Sequence, residues 1–147
     1  AWITLADFYY LRHNHSKALK YIQKVLTFEP NEPYYWRRYA ELNYFEFQNL
    51  EEAEYGYRKA VQNGDYSYNT LIEWVDLMFL TQKYGDALPI VADIVHIYPH
   101  ELNNYFRLSL AYYGVGDEHT ALQYYQMGVT KAPEWQSFFE NKFNFKM

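Results

Sequence analysis

The sequence predicts an all-α solenoid of helical hairpins, and three periodic rows of residues predict it. Ala18, Ala53, Ala87 and Ala121 are separated by 35, 34 and 34 residues. Pro30, Asp65, Pro99 and Pro133 follow at the same three intervals. A third row, Ala6, Ala40, Val75 and Ser109, runs at 34, 35 and 34, and both Trp2, Trp36, Leu71, Tyr105 and Leu5, Tyr39, Trp74, Leu108 keep its rhythm. A fixed period of this length marks a unit that buries its apolar face only by stacking on its neighbours. The one extra residue lies between Ala40 and Ala53, in "YFEFQNLEE", where it is expected to lengthen a turn.

Each unit reads as two helices. In the first, 2–13 and 16–29 are joined through "RHNHS"; in the second, 32–47 and 50–63 are joined through "QNLEE". There Asn49 precedes Glu52 by three residues, the spacing of a helix N-terminus whose side chains satisfy free N–H groups. The third unit spans 68–82 and 85–97. Its "LIEWVDLMFL" has apolar residues at intervals of three and four, Ser67 is a candidate cap, and "TQKYGD" breaks the pattern. Pro99 stops its second helix, because proline cannot continue one. Pro89 is expected within the first turn or two, where few N–H groups have an acceptor to lose. In the fourth, 101–114 and 117–131 meet at "VGDEH", with Asp117 as cap. A bulky side chain would hold two closely crossing helices apart, which accounts for the recurring small residues, Ala87 and Val75 in the third unit. The units are drawn at 1–31, 32–66, 67–100 and 101–133. The tail 134–147, with a helix over 134–143, carries Trp135, Phe138, Phe139 and Phe143 on one helical face. It is expected to cap the array or to begin a truncated fifth unit.

Composition narrows the functions. With 13 basic and 18 acidic residues the net charge is −5, and no Lys/Arg run forms a basic patch, so nucleic acid and anionic membrane are not expected partners. There is no cysteine, hence no disulfide or thiolate metal site. No run reaches the roughly 18 apolar residues of a membrane span. The expected protein is soluble, with the cytoplasm favoured over other compartments. Ala1 leads directly into "WITLADFYY" without an initiator methionine, which reads as a cut through a longer protein. The histidines His13, His15, His96, His100 and His119 fall in turns or at helix ends. No pair of them brackets a carboxylate on one helix, and there is no glycine-rich phosphate loop, so neither metal, cofactor nor catalytic site is expected.

The rows resemble the tetratricopeptide repeat over nearly the whole chain. "WITLADFYY" is similar to the family's W-x-x-L-[GA]-x-x-Y run, Ala18 to Pro30 to its second-helix run, and "YFRLSLAYYGVGDEHTALQYY" is almost as close. The second unit departs with Asn43 in an aromatic slot and Asp65 for proline; the third has Leu71 and Met78 in aromatic slots. The resemblance implies a right-handed superhelix whose first helices line a concave face, and a non-enzymatic scaffold that binds a peptide or partner helix there.

Read in the family's inward slots, four rows become candidate partner contacts: Asp7, Glu41, Asp76 and Leu110; Ile3, Arg37, Ile72 and Phe106; Tyr34, Asn69 and Asn103; Tyr10, Tyr44, Phe79 and Tyr113. The carboxylates at repeat spacing suggest a stripe of negative potential and a partner with basic and apolar side chains. Some family members hold a partner's C-terminal carboxylates. Here only Arg37, Arg38 and Arg107 are inward cations, and the acidic row opposes them, so that activity is not carried over. An alternative is a structural module that docks other domains of its own chain or forms homo-oligomers through an uncovered N-terminal face at Trp2, Leu5 and Tyr9.

Overall fold

Four buried alanines show where the hairpins close. Ala18, Ala53, Ala87 and Ala121 are all at most 1% exposed, and Ala6, Ala40, Val75 and Ser109 are similarly buried opposite them. The computed structural model describes the backbone of residues 2–147 and the side chains of residues 5–147. Among these residues every regular element is helical: α1 (Trp2–Leu11), α2 (His15–Phe28), α3 (Pro33–Glu41), a π-helical turn (Leu42–Glu46), α4 (Leu50–Gln62), α5 (Tyr68–Leu80), α6 (Tyr84–Ile97), α7 (Asn104–Gly114), α8 (Glu118–Lys131), a 3-10 turn (Pro133–Trp135) and α9 (Gln136–Phe143). Two compact units divide the chain, residues 1–70 and 71–147.

In the first unit α1 packs on α2, α2 on α3, and α3 on α4. Its core joins Ala6, Ala18, Ile22, Leu26, Tyr39 and Leu42. A close crossing lies at Gly56. A methyl group there would stand 2.9 Å from the Cβ of Ala40 and 3.0 Å from its backbone, so α4 lies on α3 with no room for a side chain. Tyr39 ties the same pair of helices by donating its hydroxyl proton to Glu52. Burial, then this bond, raises the Tyr39 pKa above the ordinary tyrosine value.

The turn inside each hairpin is made alike four times. His13, Gln48, Gln82 and Gly116 all have positive φ, at 57°, 51°, 61° and 91°. Each stands five residues before its buried alanine (18 − 13, 53 − 48, 87 − 82, 121 − 116). The extra residue therefore does not lengthen the turn, as the spacing suggested; it lies upstream, between Ala40 and Gln48. The π-helical turn absorbs it. Three hairpins close with an N–H bonding five residues back, Asn14 to Tyr9, Lys83 to Met78 and Asp117 to Tyr112, whereas Asn49 reaches six back to Asn43. A π turn takes in one residue without shifting the register of the next helix.

Asn14, Asn49 and Asp117 each cap the next helix by accepting from the N–H three residues on. Lys83 occupies the equivalent slot before α6, with no side-chain cap. Pro89 is the sixth residue of α6, and the first bond of that helix, Ala87 N–H to Lys83, is already made before it. Proline thus removes the bond that would reach Gly85, a greater cost than its expected place among free N–H groups implied. Ahead of α5 the Ser67 hydroxyl donates to Asp65, which also accepts from Ser67 N–H and the Thr70 hydroxyl. With Gly64 at φ 104°, this arrangement takes the place of the proline stop.

In the second unit α6 packs on α7 and α7 on α8. The tail helix does not present one aromatic face. Phe139 is fully buried and Phe143 partly so, while Trp135 lies in the 3-10 turn and is, like Phe138, over a third exposed. Asn144 adopts φ 49°, and Phe145 N–H then bonds Glu140, so the chain turns back and buries Phe145.

Candidate functional site: the first-helix faces

The two units carry the candidate rows in different states. In the first, a small pocket is lined by Ala6, Asp7, Tyr10, Arg38, Glu41 and Leu42 along with Ala18 and Ile22. Its floor is apolar and its rim polar. Arg38 lies 3.6 Å from Asp7 and 3.5 Å from Glu41, and Arg37 donates to Glu41 at 2.7 Å. The Arg38 guanidinium also lies 5.3 Å from the Tyr10 ring centre and 5.6 Å from that of Tyr34. The Asp7 side chain remains 43% exposed, and Tyr34 is exposed. Tyr44 falls within the π turn, half-buried beside Phe45, and Asn69 is exposed near the start of α5. The side chain of Ile3 lies outside the described residues.

In the second unit the same slots are covered. Asp76 and Arg107 are 5% and 2% exposed and bond twice, both at 2.8 Å, while Arg107 donates to Asn104 at 3.0 Å. Phe79, Phe106 and Asn103 are buried too, and only Tyr113 of these candidates is exposed; Ile72 is intermediate. Five candidates in the groove rows, Asp76, Phe79, Asn103, Phe106 and Leu110, are therefore not free surface, as their slots suggested. The cover is the tail. Phe143 meets Phe79 edge-on at 5.6 Å, Phe139 stacks on Phe106 at 5.3 Å, Lys142 lies 3.7 Å from Asp76, and Phe145 meets Tyr113 at 5.6 Å.

The expected negative stripe is corrected by the same geometry. Each carboxylate in the row has a guanidinium beside it, so the faces carry ion pairs rather than unopposed charge. The signal is present in the sequence: Asp7 to Arg38 and Asp76 to Arg107 are both 31 residues apart. Inward slots of opposite sign at one fixed offset are pairs, and reading the rows separately misses this.

The histidine turn has a partner that sequence proximity does not offer. His15 Nε2 lies 3.2 Å from Glu46 of the π turn, and His13 packs edge-on against His15. Among the described residues no three His, Asp or Glu side chains converge as metal ligands, and no helix is long and apolar enough to cross a membrane.

Helical hairpins repeating every 34 or 35 residues, with small residues at each crossing, define an all-α repeat protein with a tetratricopeptide-like fold. Solved structures share it. A portion of MamA from Desulfovibrio magneticus RS-1, residue 41 to the end, is 17% identical, with 97% of this chain and 84% of that one covered and a TM-score of 0.76. YrrB, described as a TPR protein with an unusual peptide-binding site, is 16% identical over 96% of this chain and 72% of its own, with a TM-score of 0.79. A chain of Naa15/Naa10 bound to HypK-THB is 17% identical over 88% of this chain and 20% of that one, with a TM-score of 0.73. At such identities the likeness shows the fold. No family model matches the chain, and no curated protein does.

Proposed function

We propose that this protein is a non-enzymatic interaction scaffold that binds an extended peptide segment along the first-helix face of its first unit. The observation that carries the reading is the pocket at Asp7, Tyr10, Arg38 and Glu41, where an apolar floor is bordered by half-exposed polar groups already arranged in space. Such a surface combines aromatic burial with oriented hydrogen-bonding groups. Because the carboxylates are paired, the partner needs no excess of positive charge. An apolar side chain against Tyr10, flanked by groups that bond Arg38 and Asp7, fits better than a basic run. Peptide binding by YrrB, as its description states, agrees with this use of the fold.

The test is a peptide-display selection against the intact chain, followed by resonance mapping of the selected peptides. Shifts should centre on Tyr10, Tyr34 and Arg38, and Tyr10→Ala should weaken binding at least tenfold. Shifts centred instead on the outer residues Gln23 or Gln123 would move the site to the other face.

A second reading, self-association, has its own observation. On α1, Leu5, Phe8 and Leu11 are exposed, Leu11 at 77%. Of the three residues expected for this role, Leu5 is among those exposed, Tyr9 is half-buried and stacked on Tyr21 at 5.5 Å, and the Trp2 side chain lies outside the described residues. Sedimentation of the parent and of Phe8→Ser/Leu11→Ser decides it; a parent that stays monomeric at high concentration removes this reading.

A further inference from the structure

The second unit's groove is full, and the segment that fills it describes the segment it would bind. We propose that α9 is an intramolecular ligand, and that this groove accepts in its place a helical partner segment with the pattern Phe-x-x-Lys-Phe. The inference extends the groove reading above to the second unit and rests on it.

The correspondence is slot by slot. Phe139 lies on Phe106, Lys142 on Asp76, Phe143 on Phe79, and Phe145 on Tyr113. These groove residues come from three of the inward rows, so the tail engages the face as a bound segment would. Phe139 and Phe143 are four residues apart and share one side of a helix, with Lys142 beside them. Phe139 and Phe143 also stack on each other at 6.0 Å, and Lys142 lies 5.4 Å from the Phe143 ring. The recognised unit is therefore compact.

The floor beneath α9 is complete without it. Asp76 and Arg107 satisfy each other through two bonds, and Arg107 has a third to Asn104 within α7. Withdrawing α9 leaves no buried charge unpaired; of the contacts to that pair it removes the longer, partly exposed Lys142 contact and the Phe139 ring, 4.9 Å from the Arg107 guanidinium. Exchange for a segment of the same chemistry then costs little beyond releasing the Tyr125–Glu140 and Gln136 bonds that moor the helix to α8. α9 has eight residues, too few to be stable alone, so its helix depends on that docking. It hangs on a short 3-10 turn at Pro133–Trp135.

The experiment uses the intact chain and a labelled peptide of residues 133–147. Phe139→Ser/Phe143→Ser undocks α9, and that variant should bind the peptide at least tenfold more tightly than the parent, whose groove is occupied. A peptide carrying Lys142→Glu should lose at least tenfold. Equal binding by parent and variant, with the variant's helix content intact, overturns the proposal. Should the variant unfold, hydrogen exchange of the parent decides. α9 amides should exchange at least a hundredfold faster than those of Leu108–Ala111, and equal rates, meaning that α9 leaves only on global unfolding, overturn it. A parent dimer in which two copies trade α9 would assign the groove to a second copy and overturn the partner proposal. Tyr10→Ala in the first unit should leave every one of these results unchanged, so failure here and failure of the first-unit site are told apart.

Discussion

The aspartate–arginine pair separated by 31 residues occurs once in each unit, in equivalent slots. Asp7 and Arg38 lie 3.6 Å apart with side chains 43% and 33% exposed; Asp76 and Arg107 make two bonds of 2.8 Å with side chains 7% and 3% exposed. The residue types and offset are the same, so the local sequence does not set the difference. Cover sets it. In the second unit α9 and the returning tail exclude water, and the pair closes into the fork geometry that a guanidinium and a carboxylate favour. In the first, water remains and Arg38 divides itself among Asp7, Glu41, Tyr10 and Tyr34. One repeat motif thus gives an adaptable surface in one place and a rigid buried strut in another.

The largest expected effect comes from cutting that strut. Arg107→Ala leaves the Asp76 carboxylate buried with Lys142 alone beside it, and loss of one partner of a buried pair costs about 3–5 kcal/mol. The equivalent Arg38→Ala removes exposed contacts worth about 0–1 kcal/mol. Denaturant unfolding of the two variants measures the contrast directly. Similar losses would mean that burial does not distinguish the pairs, and the comparison would break. Replacing Asp76 and Arg107 together by leucine should recover most of the loss, since apolar groups of similar size replace buried pairs nearly neutrally.

A smaller effect separates the units at their helix crossings. Gly56 faces Ala40 with no space for a methyl, whereas the slot equivalent to Gly56 in α6 holds Ile90 and the slot equivalent to Ala40 in α5 holds Val75. Gly56→Ala should therefore destabilise by about 1–3 kcal/mol through overpacking, partly offset by up to about 1 kcal/mol of helix propensity. Ile90→Ala should show no steric penalty. Thermal melts of both variants test this, and a stabilised Gly56→Ala would mean that α3 and α4 separate freely.

Much of this architecture is legible in the sequence, for reasons that also explain why some of it is not. Helix positions come within a few residues because the repeat supplies several copies of each signal: Ala18, Ala53, Ala87 and Ala121 locate one crossing four times. Spacing alone places the insertion between Ala40 and Ala53, but it does not give the insertion's form. A π turn and a longer loop have the same residue count, and only Gln48 at positive φ separates them. Asn14 carries a local cap signal that the histidines on either side obscure. The covered groove is hidden for a deeper reason. The aromatic content of 134–147 announces that the tail packs, but amphipathicity carries no address, and the contact between Phe143 and Phe79 spans 64 residues with no periodic partner to reveal it.

The smallest effect concerns how each repeat ends. Pro99 and Pro133 stop their helices covalently, but Asp65 in the same row works by accepting hydrogen bonds. Burial opposes its ionisation, yet the Ser67 hydroxyl, the Ser67 N–H and the Thr70 hydroxyl together outweigh that and hold its pKa below the ordinary value. Linkage sets the direction of the pH effect. A carboxyl with a depressed folded-state pKa binds its proton more readily when unfolded, at about pH 3.9. Its stabilisation is therefore complete above that pH and is lost as pH falls through the lower folded value. The group is only partly buried, so the contribution is modest. The second unit has a counterpart in Glu140, held low chiefly by the Tyr125 hydroxyl and then by Gln136, so acid should loosen both units but through different residues. Carboxyl-carbon resonance titration separates them. Asp65 should titrate below about 3.9, and Thr70→Val should raise its midpoint while leaving Glu140 unmoved. An Asp65 midpoint at or above the unfolded value would show that no such stop exists. The first unit's end would then have to be held by Gly64 and the packing of Thr70, and proline at position 65 should substitute for aspartate without changing acid stability.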